Sequence, residues 1–537
     1  MSGPVHFINA ERLSGTQIHI IRKQVADLVV EREKNARTIQ DQFSNLLKNK
    51  LNTNLDNLFS SVVPADKHLR IDKLEIDLGK IDRKEIKDQL AGRIIKAIEH
   101  ELSGIVADPG KPHGHTIPDS RIRVNISGLT SKDKQGTVLE HFFHFLHYGS
   151  FPSLSAYTGF KQFEDQLTEF LNTLTEAEAD KITRAITSQK SRILRLTHQF
   201  SLTFQKKLIV CITKFTETVI EDIMSLLFEF YEDVKISIPF EKYSDLVFTS
   251  FFISLAERDH IFKWEAVFLQ RVLDGLSTGS LNITPAVLKK QLSGFLKTRS
   301  PVNSSAEILV LIEGLKEDTL PLKKPGRTAL ENERDMDVYI MELFTEGGKP
   351  GTETDVSELT DEKEEDEPGT ENIYYINNAG IVLLAPFLPE LFAKLNLINE
   401  NNLPEDSNDL NRAVQFTQYL VSGEQNTHEH LLVLNKILCG ISIQYPVRND
   451  MFILKKEMQL CDRLLRSIIA DWKILKNTTP GGLRINFLQR EGRLTESERG
   501  WELYIERKGI DIVLNSIPWN YSFIKLPWMK KILFVEW

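Results

Sequence analysis

Cysteine is scarce in this chain, with only three among 537 residues, at Cys211, Cys439 and Cys461. Each lies in an apolar run with helical spacing, and the intervals between them suit neither a disulfide framework nor a zinc site. We therefore expect all three to be small buried hydrophobic side chains in a reducing cytosol.

Long apolar runs are also missing. The most apolar stretch, Ile381 to Ile398, is interrupted by Pro386, Pro389, Glu390 and Lys394, so it is too short and too broken to span a bilayer. The opening residues, MSGPVHFINAERL, contain no basic region followed by an apolar one, so Sec export is not indicated. The sequence predicts a cytoplasmic protein.

Positive charge is not in surplus, because 66 Lys and Arg residues face 75 Asp and Glu residues, for a formal net charge of −9. Residues 353–371 hold ten acidic residues against the single Lys363 and account for the whole imbalance. The remainder is near neutral, which argues against a nucleic-acid groove or a polybasic membrane patch. We expect neither nucleic acid nor membrane as a partner.

Signature motifs of enzymes are almost absent. The sequence has no G-x-x-x-x-G-K-[ST] loop, no G-x-G-x-x-G after a strand and no H-E-x-x-H. Gly275 to Gly279 matches G-x-S-x-G by its letters, but the preceding residues have helical spacing, whereas a nucleophile elbow needs a strand there. We interpret it as an interhelical loop. The sequence predicts no enzyme, catalytic residue, metal, cofactor or small-molecule substrate.

Histidines form the remaining metal candidates. His141, His144 and His147 recur every three residues, so they lie on neighbouring parts of one helix face, and their nitrogens could bind zinc or copper. The competing interpretation, which we favour, is the polar side of an aromatic-rich helix. His428 and His430 bracket Glu429 at a helix start, and we expect both to be exposed.

Length and pattern predict several units, because 537 residues exceed what one core organises. We expect mainly α structure with small α+β elements and long amphipathic helices in the middle, one of them through Leu208 to Phe230. The predicted organisation is an α+β unit over 1–105, a Pro/Gly loop over 106–136, a helical region over 137–343, an acidic flexible linker over 344–371, and an α+β domain over 372–537.

The predicted carboxy-terminal domain joins a helical layer to a small antiparallel sheet. Helices are expected through Phe387 to Leu395, through Leu410 to Gly423, and from about Glu429 to Gly440, with a further one near 456–475. Strands are expected at Leu483 to Phe487, at Trp501 to Ile505, and in the final PWNYSFIKLPWMKKILFVEW segment.

Tryptophan is crowded at this end of the chain, with five of six residues between Trp472 and Trp537. Core packing of a small sheet is one interpretation of the cluster. The other is partner docking, since tryptophan is a favoured interface anchor. The candidate docking residues are Trp501, Trp519, Trp528 and Trp537.

Several uninterrupted phrases in this region resemble the tape measure protein family of contractile injection systems, the phage-tail-like particles that bacteria assemble. They are YYINNAG running into IVLLAPFLP from Tyr374, LNKILCG from Leu434, FLQREGRL from Phe487, and the LPWM and VEW ending. The match is detailed over 372–537. Toward the amino terminus, LEIDLG from Leu74 and LEHFFHFLHYGSFP from Leu139 are similar more loosely, with Ser153 where the family often has tryptophan.

The resemblance implies a protein in the lumen of the growing inner tube that sets how many rings polymerise, its ends meeting the baseplate and spike and the terminating cap. If most of the chain were drawn out as helix it would reach about 800 Å, against a radius of gyration of about 24 Å when compact. We expect residues 137–343 and the acidic linker to span the length of the tube. The alternatives are a non-ruler scaffold or cargo-loading adaptor of the same particle, and an effector or hydrolase that uses Ser277 or a histidine site.

Overall fold

The fold is described from a computed structural model, which places residues 5–7, 19, 21, 24–26, 29, 36–63, 67–79, 81, 90–107, 123–152, 155, 157, 159–213, 215–234, 240–256, 264–278, 285–298, 373–400, 404, 407–451 and 453–537. Contacts divide the chain into two compact units: residues 1–141 with 154–158, and residues 142–153 with 159–537. The predicted linker over 344–371 lies outside the described residues, so its structure stays a prediction, as do the predicted domain boundaries.

In the first unit, an amphipathic helical segment packs against a long helix and a pair of antiparallel strands. The segment consists of Ala36–Leu46, a π-helical turn over Leu47–Leu51, and Asn52–Val62, and the long helix is Leu90–Ala107. Their apolar faces form one core. This core joins the two helical elements of the unit.

Strands β1 (Val5–Phe7) and β2 (Gln24–Ala26) pair with each other, and β3 (Lys67–Asp77) pairs antiparallel with β4 (Arg123–Asp133), with Leu74 opposite Ile126. The LEIDLG phrase contributes Leu74 to Asp77 to the end of β3. The sequence did not predict β4, which falls within the stretch interpreted as a Pro/Gly loop.

The second unit begins with a layer of helices around an aromatic core. Inward-facing phenylalanines pack edge to face, as where the rings of Phe145 and Phe160 lie 5.3 Å apart. The helices are Lys134–Tyr148, which the first unit shares, Phe160–Leu171, Glu176–Thr187, Lys190–Gln199, Leu202–Ile212, Glu217–Asp233, Phe240–Ala256, Trp264–Thr278 and Pro285–Thr298.

The long helix expected through Leu208 to Phe230 is wrong, because the chain forms two helices there. Two threonines interrupt the backbone hydrogen bonds of the helix. Thr213 Oγ1 donates to the carbonyl of Ile209 at 2.7 Å where the first helix ends. The Thr216 side chain accepts from the Val219 amide as the cap of the next helix. The apolar stripe continues across this break, which is why periodicity alone did not reveal it.

The helical elements after residue 372 agree with most of the expected pattern. Helices ending near Gly423 and Gly440 are confirmed, with φ of +75° and +74° at the two glycines. The α-helices are Leu388–Lys394, Ser407–Ser422, Val433–Leu438, Lys455–Asp471 and Pro480–Leu483, the 3₁₀ segments are Ala379–Phe387, Glu429–Leu431, Lys473–Leu475 and Gly509–Ser516, and Arg484–Leu488 is a π-helical turn.

The strand expected at Leu483 to Phe487 is wrong. Leu483 and Phe487 are buried four residues apart while Ile485 is 68% exposed, which is the spacing of a helical turn rather than of a strand. Thr479 caps this turn by accepting from the Gly482 amide at 3.1 Å.

Five strands form the sheet of this domain in the order β5-β6-β7-β9-β8. They are β5 (Ile373–Ile376), β6 (Gly492–Ser497), β7 (Gly500–Ile505), β8 (Phe523–Ile524) and β9 (Ile532–Glu536). We expected an antiparallel sheet, but β7 and β9 run parallel because the segment between them crosses over, so the sheet is mixed. The fold class, mainly helical with a small sheet, is confirmed.

None of the helices in the described part of the chain combines the length and the hydropathy that a bilayer crossing requires.

Candidate functional site: buried polar networks of the second unit

A fully buried group of three charges joins the helical layer to the carboxy-terminal domain. Arg195, on the Lys190–Gln199 helix, donates from Nε to both carboxylate oxygens of Glu429 at 3.0 Å, and Lys436 Nζ lies 2.5 Å from Glu429 Oε1. All three side chains have 0% exposure. We call Arg195, Glu429 and Lys436 the charged junction.

Carbonyl oxygens from both layers take up the remaining donors of the junction. Arg195 donates to the carbonyls of Leu146 and His147 on its own side and to that of Gln444 across the interface, the last at 2.6 Å. Lys436 donates to the carbonyl of Ile443 at 2.7 Å. The cations are therefore hydrogen-bonded as well as ion-paired, as charges without water require.

Gly149 admits the carboxylate of Glu429 into this interface. A Cβ at residue 149 would lie 2.0 Å from Glu429 Oε1, and the φ of Gly149 is +69°. The glycine that follows the helix in the LEHFFHFLHYGSFP phrase is thus required by close packing as well as by its turn.

The electrostatics of the junction are unbalanced, because two cations share one anion. Burial lowers the pKa of Lys436 to about 8; Glu429 opposes this shift and the positive charge of Arg195 adds to it. Glu429 is consequently the group on which the junction depends.

A second ion group, with Arg448 and Asp245 buried and Asp450 at its exposed edge, joins the same two layers. Arg448 Nη1 is 3.0 Å from Asp245 Oδ2 on the Phe240–Ala256 helix, and the Arg448 guanidinium also bonds Asp450 at 2.6 and 2.9 Å. Burial raises the pKa of Asp450, but the charge and hydrogen bonds of Arg448 outweigh it and lower the pKa overall. Gln199 adds two bonds across the interface, to the Val447 carbonyl and from the Glu429 amide.

Two of the family-like phrases meet in a buried amide network. Asn378, from YYINNAG, donates through Nδ2 to Asn435 Oδ1 at 2.6 Å and to Gln418 Oε1 at 2.9 Å. Asn435, from LNKILCG, donates to Thr417 Oγ1 at 2.9 Å. LNKILCG therefore supplies both this network and, through the adjacent Lys436, the charged junction.

The FLQREGRL phrase and the VEW ending meet around Asp511. Arg490, from FLQREGRL, forms a buried ion pair with Asp511, whose other oxygen accepts from Trp537 Nε1 at 3.0 Å. The Arg490 guanidinium lies over the Trp537 ring, 5.5 Å from its centroid. The VEW ending is thereby bound to the rest of the domain.

The four tryptophans proposed as docking anchors belong to the core cluster or pack on it. Trp501, Trp528 and Trp537 are buried and Trp519 is partly buried. Indole N–H groups bond inside the domain: Trp519 donates to the Leu383 carbonyl at 3.0 Å and Trp528 to that of Leu438 at 2.7 Å. Core packing is their structural role, and docking stays a prediction.

The three histidines of the Lys134–Tyr148 helix have separate partners. The Nδ1 atoms of His141 and His144 bond the Tyr157 hydroxyl and the Ser150 carbonyl, and His147 Nδ1 accepts from Arg192. Within the described residues no group of histidine, cysteine and carboxylate side chains could hold a metal ion.

His428 and His430 are not exposed, contrary to expectation. Their rings lie against aromatic rings of the helical layer, 4.2 Å from Phe160 for His428 and 4.3 Å from Phe151 for His430. Burial lowers the pKa of His428 to about 4 and that of His430 to about 3. Both histidines therefore belong to the interface that the charged junction closes.

Ser277 lies in the last turn of the Trp264–Thr278 helix, so the interhelical loop expected at Gly275 to Gly279 is wrong as far as Thr278, and Gly279 lies outside the described residues. A nucleophile elbow places its serine between a strand and a helix, and this position has a helix before it. Of the cysteines, Cys439 and Cys461 are buried, Cys211 is intermediate, and all three are free.

Sequence reasoning missed the residues that form these networks. A signal was present for Lys436, which interrupts the apolar run LLVLNKILC, because a charge in such a run needs a buried partner. Arg490 lies between Gln489 and Glu491 and gave no such signal. The pairing between the two layers could not be identified, because Arg195 and Glu429 are 234 positions apart.

Comparison with known proteins extends the resemblance from the carboxy-terminal phrases to nearly the whole chain. The family model described as contractile injection system tape measure protein matches residues 18–537. No curated protein and no solved structure matches the chain. On the match of the family model, this chain belongs to the tape measure protein family of contractile injection systems.

Proposed function

We propose that this chain sets the length of the inner tube and sheath of a contractile injection particle from within the tube lumen. The observation that carries the proposal is the family match over residues 18–537. In this role the chain assembles in the cytoplasm, works with the inner tube, the baseplate and spike, and the tube-terminating cap, and contributes structure rather than enzymatic chemistry.

We assign the spanning role to residues 137–343 and the acidic linker that follows. Drawn out as helix, residues 137–371 would reach about 350 Å at about 1.5 Å per residue. In the folded chain the helices Lys190–Gln199 and Phe240–Ala256 pack on the carboxy-terminal domain through buried ion pairs. A spanning state of this region therefore requires the charged junction to open.

We assign docking at one end of the tube to the carboxy-terminal domain. Because the rings of Trp501, Trp528 and Trp537 are buried and that of Trp519 is partly buried, they would act by holding the shape of the docking surface. A partner would then recognise the surface that these rings support.

The charged junction favours one second candidate, a folded scaffold or cargo-loading adaptor of the same particle. An adaptor needs a stable compact unit, and a fully buried ion group between layers fits that requirement. Such a protein would act before maturation without extending.

Particle length measured by electron microscopy separates the two candidates. A helical segment is inserted at the exposed link Asn172–Thr173, between the Phe160–Leu171 and Glu176–Thr187 helices. A ruler lengthens tube and sheath by about 1.5 Å per added residue. The control is an insertion of equal length in the exposed hairpin at Glu498–Arg499, between β6 and β7, which leaves length unchanged.

Normally assembled particles of unchanged length from both variants would reject the ruler and support the adaptor. Absence of the chain from purified mature particles would support it as well.

A further inference from the structure

One face of the Lys455–Asp471 helix is exposed and carries only positive charge. At about 100° per residue, Lys455, Lys456, Arg463 and Arg466 lie within about a third of the helix circumference. The other exposed residues on this third are neutral: Gln459, Ser467 and Ala470. We call Lys455, Lys456, Arg463 and Arg466 the basic face.

The acidic residues of the helix do not neutralise this face. Glu457 pairs with Arg412 at 2.7 Å, and Asp462, which borders the basic face and is 37% exposed, pairs with Arg484 at 3.1 Å. Asp471 is exposed at the last position and lies about 100° away from the centre of the basic face. Within the described residues, no ion pair involves the four basic side chains.

The arrangement is unfavourable for an isolated helix. Lys455 and Lys456 occupy the first turn, where the helix dipole already presents positive partial charge. Arg463 and Arg466 are three residues apart, where like charges repel. A bound anionic segment would be attracted to these charges, so it would offset both the unfavourable dipole interaction and the repulsion between the arginines.

Exposed isoleucines lie in the turns that follow this helix. Ile474 follows the helix in the Lys473–Leu475 turn and is 57% exposed, between Lys473 and Lys476. Ile485 is exposed next to Arg484, which Asp462 holds against this helix. The surface therefore offers apolar contacts beside its charges.

We propose that the basic face binds the acidic segment 353–371 of the same chain. This segment contains ten acidic residues and one lysine, together with Val356 and Leu359, so it matches the surface in charge and offers apolar side chains for the isoleucines.

The length of chain between segment and domain permits this contact. The segment ends two residues before β5, which begins at Ile373, so its centre at Glu362 is about ten residues from a fixed point of the domain and reaches up to about 35 Å from it. A domain of about 165 residues has a radius of gyration of about 15 Å. Much of the domain surface is within reach, and the tether gives the segment a high effective concentration.

Zero-length carbodiimide crosslinking of the full-length chain, read by mass spectrometry, tests the proposal, because it joins a carboxylate to a lysine only where the two touch. We expect crosslinks from 353–371 to Lys455, Lys456, Lys473 or Lys476. Their yield should fall at high salt, because salt screens the attraction between the two charged surfaces. The double variant Arg463→Glu, Arg466→Glu leaves these lysines in place and should reduce the crosslinks several-fold.

The matched control is Arg493→Glu, Arg499→Glu, which reverses two exposed arginines of the same domain with the same change in net charge. Crosslinks should persist in this control, and circular dichroism establishes that both variants fold. Equal loss in both variants, or equal crosslinking to Lys525 and Lys530, would overturn the proposal, because it would show contact without preference for the basic face.

Mixing isotope-labelled and unlabelled chains shows whether the acidic segment bound to the basic face comes from the same chain or from a second copy. Crosslinks within one label support the intrachain contact. Crosslinks that join the two labels would assign the face to the acidic segment of a second copy and overturn the intrachain proposal.

Discussion

Glu429 is the residue on which the charged junction depends, because it is the one anion of that group and faces two buried cations. Glu429→Gln keeps the shape of the side chain and leaves Arg195 and Lys436 without their counter-charge. We expect a loss of about 3–5 kcal/mol in the free energy of unfolding. Lys436→Met should lower the free energy of unfolding by less, since the charges of Arg195 and Glu429 that remain balance each other.

Chemical denaturation of both variants checks this order. The control is Glu390→Gln, the same substitution in an exposed pair with Lys394, where we expect a change below about 1 kcal/mol. A larger loss for Lys436→Met than for Glu429→Gln would contradict the assignment of Glu429 as the central group.

His430 makes the stability of this interface depend on pH. Its pKa is lowered by burial to about 3 in the folded chain, from an ordinary value of 6.5, so between these values the unfolded chain binds the proton more tightly. The stabilisation from the neutral ring is complete above pH 6.5 and falls as the pH drops below it, by up to about 1.4 kcal/mol per pH unit. His428, with a pKa of about 4, acts in the same direction.

His430→Phe removes one titrating group and keeps an aromatic ring against Phe151. Denaturation at pH 7 and at pH 5 should show a smaller loss on acidification than the parent protein shows. The exposed His100→Phe serves as control. An unchanged loss in His430→Phe would show that this ring does not carry the acid sensitivity.

At the scale of elements, Thr216 divides what periodicity predicts as one helix. Its side chain accepts from the Val219 amide at the start of the Glu217–Asp233 helix. Thr216→Ala should lower the free energy of unfolding by about 1 kcal/mol, and Thr216→Asn should restore most of the loss, because asparagine caps as well as threonine. Thermal denaturation measures both, and equal stability of all three proteins would show that the cap contributes nothing.

Which elements the sequence predicts depends on how local their causes are. The Ser407–Ser422 helix was predictable because its apolar stripe and Gly423 lie within one stretch of chain. The turn at Leu483–Phe487 was mistaken for a strand because three apolar residues at alternate positions fit a period of two, although only two of them are buried. The β4 strand was missed because its partner β3 lies far away in sequence.

The buried networks were even harder to predict from the sequence than the elements were. Tryptophan crowding predicted a packed core, and the rings are packed. Neither Glu429 nor Arg195 differs locally from a surface charge, however, and their pairing follows only once two layers meet. The charges that matter most for the interface were therefore the least visible in the sequence.

For the whole molecule, the charged junction decides whether the middle of the chain separates from the carboxy-terminal domain. A ruler extends by such separation, whereas an adaptor keeps the two layers together. In both cases the Lys190–Gln199 and Val433–Leu438 helices are held in one interface by Glu429, so they should open together in the native protein.

Native-state hydrogen exchange read by mass spectrometry tests this coupling. We expect similar protection in the two helices of the parent protein. In Glu429→Gln, exchange in Lys190–Gln199 and in Phe240–Ala256 should accelerate by 10-fold or more, since about 1.4 kcal/mol corresponds to a factor of ten in an opening equilibrium. Strands β6 and β7, whose contacts do not involve the junction, should retain their protection. Equal acceleration of helices and strands would mean that the unit opens only as a whole, and the middle of the chain then has no separate route to an extended state. Selective acceleration would identify the junction as the step that precedes extension, and the particle lengths of the insertion variants would then decide whether the assembling protein uses that step.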